Sequence, residues 1–174
     1  MLSNDTDVVI LLLRYVCHWI SHGLSLLWVR FGTGKNRRFI PVHELFKKLG
    51  PEMSKVLIKA HILTGNDELS KIGTKIGAIS ADPTKYLSDF GESSVDDDYE
   101  KVEKYLVRVW KPQSSCETFN ALRFSEYRRS VPISELPPTS HSITGHILRA
   151  LYLIRRSACL LTNVYPLTDP CNFG

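Results

Sequence analysis

The run from Val8 to Val29, VVILLLRYVCHWISHGLSLLWV, constrains this chain most, because it is long enough to cross a bilayer. Its surroundings argue otherwise. Asp5 and Asp7 precede it, where a signal peptide would carry positive charge. Arg14, His18 and His22 interrupt it, and Arg14 would be costly in lipid. Ser21, His22 and Gly23 break it in two. The run therefore reads as three elements and no membrane role is expected. DVVILLL is a short continuous apolar stretch, as in a buried parallel strand. RYVCHWIS is helical and ends at His22-Gly23. LSLLWVRF is a second strand, closed by GTGKN. Two strands joined by a helix make a βαβ unit, which predicts a small parallel sheet in an α/β domain.

The rest of the chain predicts helices. VHELFKKLG places Val42, Leu45, Phe46 and Leu49 at helical spacing, with Pro41 at its start and Gly50 at its end. PEMSKVLIKAHILTG is a second helix, from Pro51 to Gly65. Short helices and glycine turns follow, one opened by Pro83 and containing Tyr86 and Leu87. ESSVDDDYEKVEK, six acids against two bases, reads as a solvated linker into a helix ending near Trp110. CETFNALRFSEYRRS puts Phe119, Leu122 and Tyr127 on one face. VPISELPPTS is an extended break. SITGHILRALYLIRRSACLL is a long helix with Ser140 or Ser142 as N-cap.

Composition sets the class. The 174 residues are 43% hydrophobic and 23% charged, which suits a folded domain rather than a disordered chain. A net charge of +4 neither requires nor excludes a nucleic-acid partner. Cys17, Cys116, Cys159 and Cys171 form no CxxC pair, so a zinc ribbon is ruled out and an intracellular, reduced chain, nuclear or cytoplasmic, is expected. The cysteines read as small buried groups. Trp19, Trp28 and Trp110 read as core or interface residues. His18 and His22 lie four apart on one helical face, more simply a packed or surface pair than a metal site, since no third ligand has the right spacing.

Two constellations carry chemistry. On a strand, Asp5 and Asp7 would share a face and set two carboxylates side by side, suited to Mg²⁺ or Mn²⁺. The plain alternative is a polar turn before a buried strand. Asp67, after the helix ending at Gly65, is a third acid. Lys35, Arg37 and Arg38 crowd one loop, GTGKNRR. That loop suits phosphate or is a solvated turn, and it is not a Walker A loop, because the GK[ST] ending is absent.

NDTDVVILLL, ILTGNDEL and KIGTKIGA, taken together, resemble the C-terminal half of the PIN-like core of flap-endonuclease-type, structure-specific 5′ nucleases. LWVRFGTGKNRRFIPVHE and LPPTSHSITGHILRALYL are similar to strings in mobile-element-associated animal proteins of unassigned role, over nearly the whole chain. The resemblance implies a partial PIN-like core with a small parallel sheet, helix-rich overall, whose N-terminal half is missing. It implies that Asp5, Asp7 and Asp67 belong to a divalent-metal cluster that activates water on a phosphodiester. It also implies a helix–two-turn–helix element in which Lys71, Gly73, Thr74 and Lys75 contact duplex backbone. Residues 1–91 would form the core and this element, 92–112 an acidic linker and helix, and 113–174 a basic helical tail.

The family's remaining carboxylates come from a strand and helices without a counterpart here, and Lys71 stands where glycine is usual. The expectation is a truncated or degenerate Mg²⁺- or Mn²⁺-dependent nuclease-like protein, inactive alone, with branched or duplex DNA as partner and a missing half or partner protein. The alternatives are a non-catalytic nucleic-acid or protein binding module and a nonfunctional mobile-element fragment. Exposed strand edges would make such a fragment prone to aggregate.

Overall fold

The computed structural model describes residues 2–3, 5–92 and 95–159. The C-terminal run containing Cys171 and the Ser93-Ser94 step of the acidic stretch lie outside them. The chain folds as a helix-rich α/β protein. Its order is β1 (Leu2–Ser3), α1 (Thr6–Ser21), β2 (Trp28–Phe31), β3 (Arg38–Pro41), α2 (Val42–Leu63), α3 (Lys75–Ser80), α4 (Pro83–Leu87), α5 (Val95–Trp110), α6 (Phe119–Tyr127) and α7 (Ser140–Ala158). It divides into two compact units, the division falling between Ile58 and Lys59 inside α2.

The first unit corrects the reading of its apolar run. DVVILLL is helix, continuous with RYVCHWIS, and both belong to α1. Val8, Val9 and Ile10 favour strands, at a cost of a few tenths of a kcal/mol each in a helix. Two things outweigh that. The Asp5 side chain caps the helix by accepting the Asp7 N–H. Val9, Leu12, Leu13 and Val16 form an i, i+3, i+4, i+7 stripe buried with Val29 and Val42. Each such side chain contributes roughly 1.5–3 kcal/mol. The Arg14 guanidinium donates to the Lys55 carbonyl at 3.3 Å, so the charge within the apolar run ties α1 to α2. The helix ends at Ser21, with His22 as C-cap and Gly23 in the left-handed region, as the sequence predicts.

The strands are also placed differently. The parallel neighbour of β2 is β1, paired through Leu2↔Arg30 and Ser3↔Phe31. A βαβ crossover therefore exists, but its first strand precedes the D-x-D pair instead of following it. Only Trp28–Phe31 of LSLLWVRF is strand. Its other neighbour, β3, is antiparallel over four residue pairs from Trp28↔Pro41 to Phe31↔Arg38. The three-stranded sheet is mixed, with more antiparallel than parallel pairing. This corrects the parallel sheet expected from the sequence, and with it the sheet of a PIN-like core.

Helix α2 joins the two helices read on either side of Gly50-Pro51. Gly50 is non-helical (φ 78°) and Pro51 restarts the helix.

The second unit is helical. Its core includes Ile62, Leu63, Leu87, Phe90, Val102, Leu106, Phe119, Leu122, Ile147 and Leu151. Buried polar groups staple its helices. The Glu103 carboxylate on α5 accepts the Phe119 N–H at 2.9 Å and the Ser140 hydroxyl at 2.6 Å, joining the starts of α6 and α7 to α5. The Tyr105 hydroxyl donates to the Ala78 carbonyl at 2.9 Å, and burial pushes its pKa well up. The ammonium of Lys59, 1% exposed, donates to the carbonyls of Leu87 and Ser88 at 3.0 and 2.8 Å, where α4 ends.

Other expectations meet the structure piecemeal. Pro83 opens α4 as predicted. Helix α5 begins at Val95, so most of the stretch read as linker is helix. Tyr127 is exposed, not on the buried face with Phe119 and Leu122. The N-cap of α7 is Thr139, which accepts the Ser142 N–H. Cys17 is exposed and Cys116 and Cys159 are half-buried, so none is the buried group expected.

Candidate nucleic-acid interface

The β2–β3 hairpin brings the basic loop and an aromatic face together. Residues alternate across a strand, so one register position decides the rest. Val29 is fully buried, and Phe31 and Ile40 pack on the same core. Trp28 and Arg30 must then face outward, with their cross-strand partners Pro41 and Phe39 beside them. Trp28 is 44% exposed and Phe39 62%. The ring of buried His43 meets Trp28 edge-on, with centroids 5.5 Å apart, and its Nδ1 lies 3.2 Å from the Leu27 nitrogen and 3.0 Å from the Leu27 carbonyl oxygen.

The loop at the hairpin tip is a single turn of 3₁₀-helix, Gly34–Asn36. Gly32 stands before it at φ +83°, where a Cβ would lie 2.5 Å from the Asn36 carbonyl oxygen. Only glycine lets the loop fold this tightly. Lys35, Arg37 and Arg38 are all exposed on this loop and the start of β3. Arg38 pairs with Phe31 across the strands and its guanidinium lies over the Phe31 ring, 5.2 Å from the centroid. From Trp28 to His43 the chain carries Arg30, Lys35, Arg37 and Arg38 and no acid. Among the described residues, none of these four cations forms an ion pair with a carboxylate. Such an arrangement raises the positive potential around the hairpin, with Arg30 and Arg38 on opposite faces of the sheet.

The acids singled out by sequence stand on other elements. Asp5 and Asp7 stand at a helix start, Asp5 as the N-cap and Asp7 in the first turn of α1, and not on a strand. This corrects the reading of a strand-borne carboxylate pair. Asp7 sits in the first turn, where a negative charge favours the helix dipole. Asp67 is exposed in the turn between Asn66 and Leu69 and belongs to the other unit. Among the described residues, no three His, Cys, Asp or Glu side chains group in a way that holds a metal ion. The His18 and His22 rings do meet at the end of α1, tilted by 42° with centroids 4.3 Å apart.

The KIGTKIGA segment has evident structural work. Lys71 is exposed. Gly73 sits at φ +63°, and a Cβ there would meet Val109 Cγ1 at 2.7 Å, so glycine allows close approach of this turn to α5. The Thr74 hydroxyl caps α3 by accepting the Gly77 N–H at 2.9 Å. The Lys75 ammonium donates to the His61 carbonyl at 2.8 Å, to the Thr64 hydroxyl at 3.1 Å and to the Gly65 carbonyl. It thus satisfies carbonyls left open where α2 ends.

Sequence reasoning found the loop cations and missed Arg30 and Phe39. It placed Trp28 in a core or interface. The available signal was two short stretches rich in aromatic and β-branched residues, Trp28–Phe31 and Arg38–Pro41, flanking a glycine-containing turn.

No helix among the described residues is long and apolar enough to cross a membrane. Comparison with protein-family models, with curated proteins and with solved structures finds no match to this chain.

Proposed function

We propose that this chain is a non-catalytic nucleic-acid-binding module that grips the phosphate backbone with its β2–β3 hairpin. The observation that carries the reading is the acid-free stretch from Trp28 to His43, whose four cations sit on one hairpin without carboxylate partners among the described residues. Nucleic acid rewards such a cluster, because each phosphate contact releases a condensed counterion. Catalysis forms no part of the proposal.

The test is fluorescence anisotropy of a labelled 20-mer oligonucleotide against the full chain at rising salt. Binding should weaken linearly in log–log form. A Lys35→Ala, Arg37→Ala, Arg38→Ala variant, checked for folding by circular dichroism, should lower the slope by about 2–3. An unchanged slope in the variant, or no binding at low salt, would remove the hairpin as the interface.

A further inference from the structure

Resting on the nucleic-acid reading, we propose that the ligand of the hairpin is a single strand, DNA or RNA, whose unpaired bases stack on Trp28 and Phe39. The sheet turns two large aromatic side chains outward at 44% and 62% exposure, although its other face meets a core. The register makes the placement specific. Arg30 lies opposite Phe39 and Trp28 opposite Pro41, so the two rings occupy one diagonal of a four-residue patch with Arg30 at a third corner. The loop cations Lys35 and Arg37 continue the charge from the Arg30–Phe39 end of the patch toward the hairpin tip. A backbone tracked by cations beside aromatic faces is the arrangement that binds single strands, because every unpaired base offers a π-face. A duplex keeps those faces stacked inside and would leave both rings idle. The Arg30 charge beside the rings disfavours a cationic occupant.

The experiment compares a labelled 12-nucleotide single strand, as DNA and as RNA, with a hairpin duplex of the same sequence, all at one salt concentration. The full chain and a Phe39→Ala variant are titrated. Phe39 is chosen because its exposure makes the folded variant accessible, and Phe39→Tyr serves as the ring-retaining control. Tighter binding to single strands, a loss of about fivefold or more in Phe39→Ala and retention in Phe39→Tyr are expected. Equal or tighter duplex binding that Phe39→Ala leaves unchanged would overturn the single-strand proposal and leave backbone binding standing. No salt-sensitive binding to either form would overturn both.

Discussion

The carboxylate of Asp5 accepts the backbone N–H of Asp7 at 2.9 Å, so the first acid of the D-x-D pair spends an oxygen on the helix that carries the second. Removing that oxygen should cost stability. Asp5→Ala is expected to lower it by about 1 kcal/mol, the usual worth of an N-cap, while Asp5→Asn retains an acceptor and stays near the wild type. Urea denaturation followed by circular dichroism reads both. An Asp5→Ala chain as stable as the wild type would show that the cap contributes nothing.

Glu103 gives a larger prediction. It is buried and accepts from the Phe119 N–H and the Ser140 hydroxyl, both at helix starts. Glu103→Ala leaves a buried donor unsatisfied and should cost about 2–3 kcal/mol. Hydrogen exchange at the Phe119 amide should quicken at the same time. Protection as strong as in the wild type would contradict the staple.

The buried Lys59 can be separated from its surface neighbour. Its ammonium is held by two carbonyls at 3.0 and 2.8 Å, whereas Glu92 stands 3.8 Å away with a side chain 54% exposed. Lys59→Met keeps most of the stem and should lose about 1–3 kcal/mol, because the carbonyls at the end of α4 lose their donor. Glu92→Gln should change stability by less than about 0.5 kcal/mol, as exposed pairs contribute little. Thermal melts of the two variants give the comparison, and a Glu92→Gln loss as large as that of Lys59→Met would reverse the ranking.

His146 predicts a pH dependence. Its Nε2 lies 2.8 Å from the Leu63 carbonyl oxygen, in a buried site on α7. Burial lowers its pKa from the ordinary 6.5, the Leu63 hydrogen bond opposes that shift, and the Arg149 charge adds to it. The unfolded chain therefore binds this proton more readily than the folded one. Stability from this group is full above about pH 6.5 and is lost as pH falls through the lower folded value. Denaturant midpoints between pH 7.5 and 5 should fall more steeply for the wild type than for His146→Gln. Parallel profiles would show that His146 does not titrate with folding.

The ends of elements were the most legible part of the sequence. Gly23, Gly50, Pro51 and Pro83 mark the boundaries they predict, because a cap, a left-handed glycine or a ring-locked proline acts within a few residues. The type of an element was less legible. A run such as Val8–Leu13 is equally apolar as strand or helix, and only its fit beside Val29 and Val42 decides between them. Strand β3 was hidden for a related reason: four residues beginning with Arg38 pair only because β2 lies alongside.

The candidate site divides in the same way. Sequence alone determined the cations of the GTGKNRR loop and the glycine that lets it turn, since charge and backbone freedom belong to the residues themselves. Tertiary structure decided that Asp5 is a cap, that Lys75 closes the end of α2, and that Trp28 and Phe39 look outward beside Arg30. Alternation along a strand says only that two faces differ. Which face meets the core, and which is left for a ligand, depends on what packs against the sheet.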